Sequence, residues 1–302
     1  MKEKTAKLFR EIQINICKQI EEVDKKEIFK EDVWERPDLE ESYGGGGFSR
    51  VLAKGDVFEK AGVNFSEVSG TMPKAMCKKL TGQDINTNFF ATGVSLVIHP
   101  DSPFIPTTHA NIRYLEVGGL SWFGGGGDLT PYYHFEEDSI LFHQNLKTIC
   151  DKHSKEYYPK FKKWCDEYFY LTHRKEARGI GGIFFDYLGK DENTKLNEYF
   201  NFTADIGHNL MNAYIDIANK RKKNTFSEAE KKFQLIRRGR YAEFNLVTDR
   251  GTKFGLETNG RTESILMSLP PVVHWDYCPK VEKGSKEEEI INIVSNKARD
   301  WL

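Results

Sequence analysis

Two runs of alternating side chains, TGVSLVIH at residues 92–99 and NIRYLEV at 111–117, oblige the middle of this chain to form strands. The connection between them, PDSPFIPTTHA, is punctuated by proline and cannot continue either one. Helical spacing appears on both sides. Leu8, Ile12, Ile16 and Ile20 recur every four residues within 3–23, and further helices are expected at about 136–150, 156–176, 196–220 and 227–238, with a last one in KEEEIINIVSNKARDWL. GIFFDYL (182–188) reads as another strand, and YAEFNLVTDRGTKFGLE as a hairpin turning at Asp249-Arg250-Gly251. No linker or internal repeat interrupts the 302 residues. We therefore expect one α+β domain with a large, mostly antiparallel sheet flanked by helices.

Composition excludes several classes of partner. The 44 basic and 45 acidic residues leave a net charge of -1, so no global field draws nucleic acid or an anionic membrane. No apolar run approaches the roughly 20 residues of a bilayer span, and the N-terminal stretch lacks a signal-peptide apolar block. A cytoplasmic protein without a membrane span is the expectation. The five cysteines are scattered, without a C-x-x-C pair, which suits buried thiols. Arginine and lysine, however, are segregated. Residues 44–50, 110–133, 173–187 and 237–263 hold 9 of the 13 arginines but 2 of the 31 lysines, a bias toward fixed, forked recognition of anions.

Extended backbone over 109–115 would put His109, Asn111 and Arg113 on one face and Ala110, Ile112 and Tyr114 on the other. Ser95, Val97 and His99 would share a face in the preceding strand, and Glu243 and Asn245 would oppose Phe244 and Leu246 in the hairpin. The two glycine quartets, GGGGFSR at 44–50 and FGGGGDLTPYY at 123–133, lack the G-K-[ST] ending of a phosphate loop. They are either surface turns or places where backbone approaches a bulky ligand, ending near Arg50 and Asp128.

The strings GVSLVIHP, NIRYLE, WFGGGGDLTPYY, YPKFKKWCDEYFYLTHRKEARGIGGIFFDYL and GRYAEFNLVTDRGTKFGLETNGRTESILMSLPP together resemble the oxygen-dependent coproporphyrinogen III oxidase family, from about Gly44 onward; residues 1–43 resemble it least. The resemblance implies a substrate cleft between sheet and helices. In it, two propionates of coproporphyrinogen III become vinyl groups, giving protoporphyrinogen IX and CO2 in haem synthesis. Molecular oxygen is then the co-substrate, with no organic cofactor and no required metal. It also implies a homodimer formed through strands in the region 241–277.

Residue by residue, the resemblance places substrate contacts at Ser95, Asn111, Ile112, Arg113, Asn259, Gly260 and Arg261, with Arg113 and Arg261 as propionate clamps. Asn259 stands where related chains often carry glycine. Asp128 matches the acid set near the pyrrole N–H groups, and His109 the proton donor. His99, His109, His143 and His173 match histidines considered as proton-transfer groups or metal ligands. Two other readings stay open: a non-haem metal oxygenase built from His99, His109 and Asp128, and a tetrapyrrole carrier using the same arginines without chemistry.

Overall fold

The computed structural model describes residues 1–36, 43–257, 260–296 and 298–302, with the side chains of Tyr43 and Phe254 excepted. The chain opens with helix α1 (Lys2–Asp24), strands β1 (Lys30–Glu35), β2 (Tyr43–Ala53) and β3 (Phe58–Met72), and the short helix α2 (Lys74–Thr81). Strands β4 (Thr87–Pro100), β5 (Thr107–Val117) and β6 (Leu120–Thr130) follow, then helices α3 (Glu136–Asp151) and α4 (Tyr157–Tyr168). A small hairpin, β7 (Tyr170–Leu171) with β8 (Glu176–Ala177), leads to β9 (Gly182–Leu188). Helices α5 (Leu196–Arg221), α6 (Glu228–Glu243), α7 (Arg250–Glu257), α8 (Thr262–Leu266) and α9 (Lys286–Ser295) complete the order. Seven strands form one sheet in the order β1-β2-β3-β4-β5-β6-β9, and every pairing is antiparallel. The α+β expectation holds.

One face of the sheet is the core face. Helix α1 turns Phe9, Ile12, Ile16, Ile20 and Val23 onto it, all buried, and each such side chain contributes about 1.5–3 kcal/mol. The buried Gln13 of this helix donates to the carbonyls of Phe48 (2.7 Å) and Val63 (2.8 Å), tying α1 to β2 and β3. At the C-terminal end of α1, Asp24 accepts from the backbone N–H groups of Val57 and Phe58, both at 2.9 Å. Burial raises that carboxyl, but these N–H groups outweigh it and hold the group below its ordinary range. Helix α5 lies beside α1 over β5 and β6, and α4 wraps the exposed edge of β9. Phe161 of α4 meets Phe185, while Trp164 and Tyr168 meet Phe184 from the other side.

Two expectations need correction, and one of the two readings open for the glycine quartets is excluded. Both glycine quartets lie inside strands, not turns. In β6, Gly126 has φ +147° and a Cβ there would stand 2.1 Å from the Ile183 carbonyl oxygen, so close pairing with β9 requires glycine. Helix α4 ends at Tyr168 rather than 176, because the chain reverses through β7 and β8, with Lys175 at φ 55°, to bury Arg178. Residues 239–257 are helical, not a hairpin. Tyr241, Ala242, Phe244 and Asn245 are all buried, which alternation cannot give and helical spacing can. The Asp249-Arg250-Gly251 turn is a helix start, its Asp249 carboxylate accepting from the Thr252 N–H at 2.6 Å. Consequently 241–277 contains no strand among its described residues. Four cysteines are buried thiols, and Cys278 is exposed.

Candidate functional site

The outer face of the sheet carries the candidate site. Across it, side chains of one parity align in a row: Asp32, Ser49, Asn64, Ser95, Asn111, Gly126 and Phe184, each paired with the next. A neighbouring row runs Gly62, Val97, His109, Asp128 and Gly182, and another Ser66, Gly93, Arg113 and Gly124. Small side chains therefore floor the middle of this face, with Ser95 exposed.

Both ends of the face are covered. At one end α2 seals a cluster of Met72, Cys77, Val117 and Trp122. At the other, α8 lies across β2 and β3: the Ser264 hydroxyl meets that of Ser49 at 2.7 Å, and Asn64 donates to the Ser264 carbonyl at 2.6 Å. Tyr168 stacks on Phe184, centroids 4.5 Å apart, and makes an aromatic side wall with Arg250 and Arg113 beside it.

At the junction of floor and wall sits a connected polar group. Arg113 donates to the Asn111 side-chain oxygen at 2.6 Å, the Asn111 amide points toward His109 Nε2 at 3.5 Å, and His109 Nδ1 meets the Asp128 carboxylate at 3.0 Å. A carboxylate only accepts, so that last contact requires a proton on Nδ1, which Arg178 Nη2 also approaches at 3.3 Å, and in the neutral ring Nε2 is then the acceptor. Behind Asp128, Arg178 makes a two-pronged contact, Nε to one oxygen at 3.0 Å and Nη2 to the other at 2.5 Å. Arg178 also donates to Asn245 at 3.2 Å and stacks on Phe169 and Phe244. Asp128 and Arg178 are buried to 1% and 4% exposure, whereas the His109 side chain keeps 18%. Burial pushes the Asp128 carboxyl up, but Arg178 and the His109 hydrogen bond overcome it and hold the group below its ordinary range. Asp128 is thus a carboxylate at neutral pH, and His109 is the member of the pair that reaches the floor.

The parity expected from sequence is therefore correct for Ser95, His109, Asn111 and Arg113. Ile112 faces the core instead and offers the site only its backbone. Arg113 is additionally paired with Asp186 at 2.8 Å, directly over Gly124, where a Cβ would stand 2.5 Å from the Asp186 carboxylate. Arg261, just before α8, is held by Asp32, and its buried Nη1 has no partner among the described residues. Asp32 and Asn111 are four strand steps apart, roughly 19 Å, so Arg113 and Arg261 stand at opposite ends of the face. Gly260 lies next to Arg261, its N–H donating to the Gly255 carbonyl at 2.7 Å. Asn259 lies outside the described residues.

The structure does not bring the four histidines together. His99 is buried with Nδ1 on Thr107 (3.1 Å) and Nε2 on the Ser268 carbonyl (2.9 Å), and burial, then Arg238, lowers it well below its ordinary range. His143 is equally enclosed, between Tyr158 and the Ile180 carbonyl, and burial lowers it to about 3. With both ring nitrogens engaged, neither is free to ligate, and among the described residues no three His, Cys, Asp or Glu side chains converge as a metal set. The two-histidine, one-carboxylate arrangement meets the same obstacle at His99 and at Asp128. The donor set does not fit a metal.

His173 sits at the surface against Glu243 at 2.6 Å, where Arg174 also binds. The Arg174 hydrogen bond lowers Glu243; burial opposes it, and His173 reinforces it, leaving the carboxyl at about 2. A depressed acid contributes stability that is present above its unfolded value, near 4.5, and lost as pH falls toward 2. Glu243→Gln should accordingly be less stable than wild type by about 0.2–1 kcal/mol at pH 6, as for partly exposed pairs. That gap should close near pH 2 in denaturant titrations, and a gap independent of pH would contradict the pairing.

Sequence reasoning missed Arg178, Asp186, Asn245 and the Tyr168–Phe184 wall. The signal for Arg178 was the run Ala-Arg-Gly-Ile-Gly-Gly just before a strand, where small neighbours let one large cation approach the sheet.

The chain is similar to known proteins over nearly its whole length. A family model described as coproporphyrinogen III oxidase matches residues 4–301, so the likeness includes α1. An oxygen-dependent coproporphyrinogen-III oxidase of Francisella tularensis subsp. tularensis (strain FSC 198) is 49% identical over 316 residues, spanning the whole of both chains.

Proposed function

Because the chain belongs to the coproporphyrinogen III oxidase family, we propose that it catalyses the oxygen-dependent oxidative decarboxylation of coproporphyrinogen III to protoporphyrinogen IX in haem synthesis. The observation that carries this reading is the His109–Asp128–Arg178 group beside a floor of glycine and serine with an arginine at each end. A flexible tetra-acid macrocycle needs such a surface: a small-residue floor for its rings, an aromatic wall, and forked cations for its carboxylates. Arg113 and Arg261 each hold a propionate, and the Nη1 of Arg261, which has no partner among the described residues, supports that assignment.

Each propionate reacts with a simple balance. The arm –CH2–CH2–COO⁻, one O2 and one proton give –CH=CH2, CO2 and H2O2. The carbon next to the ring gives up hydrogen and two electrons to oxygen, and the electron pair of the C–COO⁻ bond becomes the vinyl π bond as CO2 leaves. In this reading His109 Nε2, rather than Asp128 as the resemblance implies, accepts a pyrrole proton, making the ring electron-rich enough to reduce oxygen, and gives it back once the vinyl group has formed. Asp128 acts through His109, fixing its tautomer and stabilising the positive charge that the ring gains, and Arg178 keeps Asp128 ionised. No step is routed through a metal, and molecular oxygen is the co-substrate.

A homodimer through 241–277 and a cytoplasmic setting belong to the same reading. Leu246, Val247, Leu256 and Trp275 expose apolar surface in that region, which supports the dimer, and no described helix is long and apolar enough to cross a membrane.

The test is anaerobic binding of coproporphyrinogen III followed by addition of oxygen, with oxygen uptake, CO2 release and product measured. Wild type should consume oxygen and form the divinyl product; tight binding without uptake would instead indicate a carrier. Arg113→Ala should weaken binding roughly 10- to 100-fold, the scale of charge-assisted contacts of about 1.5–3 kcal/mol. Wild-type affinity and rate in that variant would remove Arg113 from the site.

A further inference from the structure

The segment Ala177–Gly182 carries Arg178 into the sheet, and it is held from behind by residues far away in sequence. The Arg178 N–H donates to the Phe169 carbonyl at 2.8 Å, and the Ile180 N–H to the Leu129 carbonyl at 3.0 Å, next to Asp128. Gly179 packs so tightly on β6 that a Cβ would stand 2.2 Å from the Leu129 carbonyl oxygen. The Ile180 carbonyl then points away from the sheet and accepts two hydrogen bonds. One comes from His143 Nε2–H and the other from Trp301 Nε1–H, both at 3.0 Å.

These two donors brace each other. The His143 and Trp301 rings are stacked, 19° from parallel with centroids 6.1 Å apart, and Trp301 is 6% exposed. His143 Nδ1 accepts from the Tyr158 hydroxyl at 2.9 Å, which fixes the Nε2–H tautomer. Arg299 covers the outer face of the indole at 4.5 Å, and its carbonyl accepts from Lys162 Nζ at 2.5 Å. A carbonyl with two buried donors has no further freedom to rotate, and the Arg178 peptide lies two residues from it.

The geometry points to Trp301 as a positioning residue for the reaction: with His143 it clamps the Ile180 carbonyl and so sets the reach of Arg178 toward Asp128. This rests on the reading that His109, Asp128 and Arg178 form the reacting centre. In this role Trp301 acts through the 178–182 backbone and not by contact with substrate, so it should affect turnover and leave substrate affinity alone.

Trp301→Phe keeps an aromatic ring against His143 and removes only the N–H donor. It should lower kcat about three- to tenfold, the scale of one neutral hydrogen bond, with the KM for coproporphyrinogen III within about twofold of wild type. Hydrogen–deuterium exchange of the same variant should rise at amides 178–182 and stay unchanged in β5. Trp301→Ala should extend both effects. Unchanged exchange at 178–182, or a rise spread equally over β5 and β6, overturns the clamp. Exchange decides this even if wild type fails to turn over coproporphyrinogen III, a result that would instead overturn the functional reading.

Discussion

Asp128→Asn should lower turnover by about two to four orders of magnitude while leaving most of the anaerobic affinity for coproporphyrinogen III. Asparagine matches the shape of aspartate but offers one acceptor oxygen where Asp128 uses two, against Arg178 and His109. His109 Nδ1 and Arg178 Nη2 share one of those oxygens and Arg178 Nε takes the other, so the amide N–H group must face either Arg178 Nε or both of the other donors. In both orientations His109 is left beside a neutral group that no longer stabilises the positive charge it gains on taking a proton. The propionate contacts proposed for Arg113 and Arg261 are not touched by the change. Single-turnover measurement on the folded fraction checks this, since the variant is also less stable. An unchanged rate would remove Asp128 from the mechanism.

Arg178→Met is expected to have the largest effect on folding. It leaves the Asp128 carboxylate buried without its cation, a loss of about 3–5 kcal/mol for a broken buried pair. The pH dependence carries the diagnosis. With Arg178 gone, burial is the dominant influence on Asp128 and its folded-state value is raised above the unfolded one. A raised acid is stabilising while protonated and loses that contribution as pH rises through its folded value, so the deficit of the variant should shrink between pH 7.5 and pH 5. Adding Asp128→Asn to Arg178→Met should recover much of the stability without recovering activity, a non-additive pair. Denaturant unfolding of the single and double variants at both pH values provides the test, and a deficit that does not vary with pH would speak against the assignment.

Much of the site was legible because strand parity is a rigid rule. Once 109–115 is extended, His109, Asn111 and Arg113 must share a face, and the pairing of His109 with Asp128 adds the acid from the next strand. What could not be read was whatever depended on contacts distant in sequence. β3 is the longest strand, yet it mixes Glu, Lys, Gly and Asn with its apolar residues because it is paired on both sides and covered unevenly. The strands containing glycine quartets are extended because their neighbours hold them, against the local preference of glycine. Residues 239–257 alternate well enough to suggest a hairpin, but burial of Tyr241, Phe244 and Asn245 against Arg178 and Phe169 decides for a helix. Arg178 itself lies just beyond the helix expected at 156–176, and the distant Asp128, Asn245 and the rings of Phe169, Tyr241 and Phe244 are what make a buried guanidinium tolerable there.

The strand order also has a temporal side. β1 to β6 are neighbours in sequence, so ribosomal synthesis delivers His109 and Asp128 together, while β9 and the cation that neutralises that acid emerge only after two helices and a hairpin. Until β9 arrives, the rim of β6 is a bare row of amides and carbonyls, open to a second nascent chain. Neutralisation of that acid and protection of this edge from clumping thereby arrive in the same late step.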